Sequence, residues 1–133
     1  MTEGYSGKSL SQKLGIKPGD TILAIDPPAN YAALLAPLPV GAVISGAASA
    51  PDIVHAFVTS RAIVDTAATR LVTLARAGGA LWISWPKKTS ALFVDLTEDG
   101  IREAVLPTGW VDVKVCAVDA DWSGLKFLRR RTV

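Results

Sequence analysis

Four short apolar runs dominate the chain: TILAID (21–26), AVISG (42–46), DIVHAFVTS (52–60) and ALWISW (80–85). Each is too short for a stable isolated helix, rich in β-branched or aromatic residues, and closed by proline, glycine or hydroxyl residues, so each reads as a buried strand. Between the third and fourth lies the one long amphipathic stretch, Arg61 to Ala77. Ile63, Val64, Ala67, Ala68, Leu71, Leu74 and Ala75 form one stripe at helical spacing, Thr59 or Ser60 stands at the N-cap, and Gly78-Gly79 is the stop. Strands that alternate with helices imply a largely parallel sheet with helices on both faces, a three-layer α/β fold.

The remaining elements fit that plan. SLSQKLGI predicts one or two helical turns, with Ser9 as N-cap and Gly15 as C-cap, and Lys17-Pro18-Gly19-Asp20 is turn chemistry. Pro27 and Pro28 stop the first strand. Residues 30–38 predict a short helix that Pro37 ends. Thr97 caps a helix carrying Glu98 and Asp99 in its first turn, closed by Pro107-Thr108-Gly109. VDVKVCAVD (111–119) alternates, with Val111, Val113, Val115 and Ala117 on one face and Asp112, Lys114 and Cys116 on the other. A tight turn at 121–124 leads to LKFLRR (125–130), so this pair is an antiparallel hairpin. Only about six residues separate the second and third strands, where a parallel crossover needs a dozen or more. Either the second strand is a short edge piece or the crossover is a bare loop.

The 133 residues predict a single domain over 9–133 behind a flexible segment 1–8. Half the residues are hydrophobic and mean hydropathy is +0.33, yet no run approaches the roughly 18 apolar residues that span a membrane. The surplus apolar surface points instead to a homo-oligomer or protein–protein contact, with Trp122 in the hairpin turn as the candidate interaction residue. MTEGYSGKSLSQKLG lacks the apolar core of a signal peptide, and the single cysteine forbids an internal disulfide, so a cytoplasmic setting is expected. Arg129, Arg130 and Arg131 read as a solvated chain end. With pI near 8.9 and no nucleic-acid-reader motif, nucleic acid is a disfavoured partner.

Open parallel sheets bind ligands beyond the carboxyl ends of their strands. Three groups of candidates fall there: Asp26 after the first strand; Thr59, Ser60 and Arg61 after the third; and Trp85, Lys87 and Lys88 after the fourth, in ISWPKKTS. Two ammonium groups beside a tryptophan suit a phosphate or carboxylate, and a hydroxyl-capped helix start with an arginine suits an anion. His55 sits mid-strand and reads as a core histidine. One histidine and one cysteine cannot make an ordinary zinc site, no GxSxG elbow is present, and Cys116 reads as an inert thiol. The expected function is therefore a non-catalytic binding or regulatory module for a small anionic ligand, with no metal.

The helix, Gly-Gly turn, GGALWIS strand and closing antiparallel pair, over residues 52–130, resemble the C-terminal half of Rossmann-like methyltransferases. That resemblance implies a cofactor site after the first strand. The turn there, Asp26-Pro27-Pro28-Ala29-Asn30, has no glycine, and no acid follows AVISG to take ribose hydroxyls. The usual mode of S-adenosylmethionine binding is thus disfavoured, and a divergent transferase stands behind the binding and interaction readings. The stretches YSGKSLSQKLGIKPGD, FVTSR, LWISWPKKTS, DLTED and VDVKVCAVDADWSGLKFLRRR resemble the bacterial domain-of-unknown-function family 3052, a kinship that implies no activity.

Overall fold

A computed structural model describes residues 8–130; the flexible segment expected at 1–8 and Arg131 lie almost wholly or wholly outside them. Its six-stranded mixed sheet has the order β2-β1-β3-β4-β6-β5. The strands are β1 (Thr21–Ile25), β2 (Val43–Ser45), β3 (Ile53–Phe57), β4 (Ala80–Pro86), β5 (Trp110–Ala117) and β6 (Trp122–Arg129). The first four are mutually parallel, and β6 pairs antiparallel with both β4 and β5.

Two helical layers cover this sheet. Alternate residues of the central strands feed different cores. Ile22, Ala24, Ile53, Phe57 and Trp82 meet α1 (Leu10–Leu14) and α2 (Tyr31–Leu35), while Leu23, Val54, Ala56, Leu81 and Ile83 meet α3 (Arg61–Leu71) and α4 (Glu98–Val105). All of β3 and β4 is buried, as a strand covered on both faces must be. No helix among the described residues is long and apolar enough to cross a membrane.

Local chemistry sets the element ends. Ser9 and Gln12 form a complete capping box on α1, and Gly15 closes it at φ 78°. Ser60 Oγ accepts from the Ile63 N–H at the start of α3, and Thr97 Oγ1 accepts from Gly100 N–H at the start of α4. Helix α3 stops six residues short of the expected Ala77. Thr73 Oγ1 donates to the Arg70 carbonyl, and Arg76 is drawn to the foot of β3 by its N–H on Pro51 O and its guanidinium on Asp52. Both readings of the short β2–β3 connection hold. β2 is a three-residue edge strand, and residues 46–52 cross to the far side of β1 without a helix.

Two expectations for the hairpin need correction. β6 begins at Trp122, because Asp119 Oδ1 accepts the N–H groups of Asp121 and Trp122 and so makes the turn at 118–121. The alternation expected along β5 breaks at a bulge between Asp112 and Lys114. Trp110 and Asp112 face α4, whereas Lys114 and Cys116 face α1, leaving Val113 and Val115 about half exposed.

Gly79 is pinned where the chain re-enters the sheet: a Cβ there would lie 2.8 Å from Asp52 O and 3.0 Å from Arg76 O, both backbone atoms. Gly79→Ala is expected to cost about 1–3 kcal/mol in urea denaturation, whereas Gly46→Ala, which meets nothing within 4 Å, leaves the midpoint unchanged.

Candidate functional site

The strand order reverses between β1 and β3, since β2 lies on one side of β1 and β3 and β4 on the other. Open α/β sheets place ligands at such a point. Asp26 leaves β1 at φ 52°, a left-handed conformation that aspartate tolerates better than most residues. The next two residues are prolines without N–H groups, and the five-residue α2 has no side-chain cap bond from Asn30. Asp26 lines a shallow cleft of about 340 Å³ with the β1 end, Gly46–Ala48, Arg70 and Leu74.

The α3 start is already occupied from within the chain. The Arg61 N–H donates to Asp95 Oδ1 at 2.9 Å, and its guanidinium is shared between Asp65 at 2.8 Å and Glu103 at 2.9 Å. Those two carboxylates raise the Arg61 pKa. Arg61 therefore fastens α3 to α4.

Trp85, Lys87 and Lys88 come together in another cleft, of about 450 Å³, whose opposite wall is Leu96–Asp99 with Ser123 at its base. The path of the chain explains this grouping. Lys87 N–H donates to Asp121 O at 2.8 Å, and Ser90 Oγ to Asp121 Oδ1 at 2.9 Å, so the loop after β4 is tied to the β5–β6 turn. Asp95, held by Arg61, brings the chain back into α4. Trp85 is buried against the α3/α4 core, and its neighbours carry the charge to the surface.

Sequence reasoning took Thr97, Glu98 and Asp99 only as capping residues, yet they line this cleft. Their signal was the capping motif itself; what placed it opposite the lysines was the sheet order. Both carboxylates share one guanidinium with a third: Arg102 pairs with Glu98, with Asp99 at 3.1 Å and with Asp112 at 2.8 Å. The bond to Asp112 is the largest influence on the guanidinium and raises its pKa, and Arg102 in turn holds the Asp112 carboxyl below its usual range. No lysine of the cleft takes part in an ion pair among the described residues.

Trp122, expected as an interaction anchor, is instead a core residue. It is 7 % exposed and meets Phe57 edge to face at 5.0 Å. His55 is fully buried behind it. Its Nδ1 lies 2.7 Å from Tyr31 Oη and its Nε2 2.7 Å from Ser84 Oγ, so a neutral ring donates with one nitrogen and accepts with the other. Burial pushes the His55 pKa down to about 3 and raises that of Tyr31. Burial is also the main cause of the raised Cys116 pKa, opposed by Lys13 and Lys114.

No family model matches the chain, and neither does any curated protein. Solved structures do. A possible exported protein from Bordetella parapertussis matches at TM-score 0.62 and 12% identity, over 92% of this chain and 65% of that one. A SAM-dependent methyltransferase from Aquifex aeolicus matches at TM-score 0.62 and 12% identity, over 89% of this chain and 86% of that one. The N-methyltransferase NodS from Bradyrhizobium japonicum WM9, solved with S-adenosyl-L-homocysteine, matches at TM-score 0.58 and 15% identity, over 89% and 82%. The chain thus spans just under two thirds of the first of these. The fold is Rossmann-like and methyltransferase-like. The likeness expected for residues 52–130 extends over some nine-tenths of the chain, including the β1–α2–β2 segment whose prolines obscure it in sequence.

His55 is the sole histidine, which makes its titration separable. The unfolded chain protonates it below about 6.5, and the folded chain holds off until about 3. Stability is full above that window and falls as pH drops through it, by about 3 kcal/mol between pH 6.5 and 4. Urea denaturation across this range is expected to show that slope in the wild type and a nearly flat line in His55→Gln.

Proposed function

We propose that this chain binds a small anionic ligand, a phosphate or carboxylate, in the cleft between the end of β4 and the first turn of α4. The observation that supports it is the charge inventory of that cleft. Glu98 and Asp99 both pair with Arg102, while Lys87 and Lys88 have no ion-pair partner among the described residues. Two ammonium groups at a strand end beside Trp85 and Leu96 recruit an anion, and Ser123 and Thr97 supply hydroxyls beside them. Asp26, Thr59, Ser60 and Arg61 enter this reading as the frame of the strand ends, with Trp85 as the wall.

The test is a calorimetric and thermal-shift titration with phosphate, phosphate monoesters and short-chain carboxylates. Each charge-assisted contact contributes roughly 1.5–3 kcal/mol, so Lys87→Ala with Lys88→Ala is expected to weaken binding at least a hundredfold while the melting transition persists. Equal responses from wild type and double variant to every anion would overturn the proposal.

The fold favours a second reading, a divergent transferase holding S-adenosylmethionine in the crevice between β1 and β3. The support is the likeness to SAM-dependent methyltransferases, and the glycine-free turn means that backbone could not approach the cofactor in the usual way. On this reading S-adenosylmethionine stabilises the protein, and Asp26→Ala abolishes the effect while Lys87→Ala with Lys88→Ala does not. No heat of binding at millimolar cofactor would eliminate it.

A further inference from the structure

The α1-facing side of the β5–β6 hairpin holds a different cluster of charge. Lys114 and Lys126 are cross-strand partners in register, and both point toward α1. Lys114 Nζ donates to Lys13 O at the α1 C-terminus at 2.9 Å, and Lys126 Nζ lies 3.6 Å from where a Cβ on Gly15 would stand. Lys17, two residues beyond Gly15, is near enough to act on Lys126. Burial is the first cause of the lowered Lys126 pKa, and repulsion from Lys114 and then Lys17 adds to it.

Like charges directly opposite on a sheet destabilise it, and here a third cation joins them. Every ion pair among the described residues is made by an arginine, and none includes Lys17, Lys114 or Lys126. Arg61, Arg76 and Arg102 pair with one to three carboxylates each, whereas no carboxylate among the described residues forms an ion pair with this trio; Asp20 accepts the backbone N–H of Lys17 at 2.9 Å.

We infer that Lys17, Lys114 and Lys126 form a second anion site, on the opposite face of the sheet from the Lys87–Lys88 cleft, that takes the oligophosphate group of a small molecule. A compact, multiply charged anion satisfies all three ammonium groups at once, which a single carboxylate does not. Lysine serves phosphate as a point charge. The ring beneath this face, Trp82, is fully buried with its Nε1 on Leu14 O, so the face has no platform of the kind that stacks the bases of single-stranded nucleic acid.

The experiment is a titration with inorganic tripolyphosphate, against sodium chloride at matched ionic strength, followed by melting temperature and calorimetry. Tripolyphosphate is expected to raise the melting temperature by several degrees beyond salt. Lys126→Gln, by removing the repulsion, should melt higher than wild type when free and bind tripolyphosphate at least tenfold more weakly. Lys17→Gln, an exposed change that leaves the hairpin intact, should also weaken binding, and Lys87→Ala with Lys88→Ala should leave it unchanged. A response no greater than that to salt, or undiminished affinity in Lys126→Gln and Lys17→Gln, overturns the site; loss in the Lys87–Lys88 variant alone assigns the anion to the other cleft.

Discussion

Both ring nitrogens of His55 are used inside the sheet, and much of the architecture answers to that fact. Tyr31 belongs to α2, His55 to β3 and Ser84 to β4, so one neutral imidazole joins a helix on one face to two central strands. Each of the three polar groups would be costly to bury alone, by about 1–3 kcal/mol, and none is left without a partner. The arrangement also specifies register. A slip of one residue in β3 would send His55 into the α3/α4 core and strand the Tyr31 and Ser84 hydroxyls. Phe57, stacked on His55 at 4.4 Å, carries the same constraint out to Trp122. The strand ends that bear Thr59–Ser60 and Trp85–Lys88 lie only a few residues beyond these anchors.

What could be read in the sequence follows from where the decisive forces act. Ser9, Gly15, Ser60 and Thr97 act within three or four residues of themselves, so the helix starts were legible. The runs that became β1, β3 and β4 were legible because both faces are buried and the pattern is continuous. The bulge at Val113 was not, because it arises from pairing with β6, a partner invisible to a period count. The early end of α3 was hidden in the same way: Arg76 leaves the helix for Asp52 and Pro51 O, contacts across more than twenty residues. Trp122 reads as an interaction residue from its place in a turn, whereas its edge-to-face packing on Phe57 is a contact distant in sequence. In the site, Lys87 and Lys88 could be found from their place after a strand, but Glu98 and Asp99 could not be set opposite them until α4 was docked.

Charge is divided unevenly in this molecule. Arg61, Arg76 and Arg102 are fasteners: α3 to α4, the foot of β3 to the segment after α3, α4 to β5. A planar guanidinium with several donors suits that work, because one group can hold two or three carboxylates in fixed directions. Lys87, Lys88, Lys114 and Lys126 enter no ion pair among the described residues, and Lys114 Nζ donates to the Lys13 carbonyl. They sit at the β4 end and on the hairpin face, where a flexible point charge is poorly suited to fastening and well suited to meeting a solvated anion. The formal net charge of +2 therefore conceals an uneven pairing, in which, among the described residues, Arg61, Arg76 and Arg102 hold six carboxylates and these lysines hold none.

The methyltransferase-like sheet does not by itself carry methyl transfer, since one fold hosts many chemistries and the site decides among them. Here the bare crossover at 46–52 matters most. A helix in that connection would cover the α3-side face of β1 and β2; the loop leaves Asp26, Gly46–Ala48, Arg70 and Leu74 around a shallow hollow instead. A nucleoside seated over β1 would find loop backbone and alanine methyls where it needs a walled pocket, and prolines where it needs N–H groups. The cleft beside α4 is lined by Trp85 and Leu96 together with Lys87, Lys88, Glu98 and Asp99. The two clefts differ in chemistry: the one at β1 sets Asp26 and Arg70 among small apolar residues, and the one at β4 sets two lysines beside a pair of carboxylates held by Arg102.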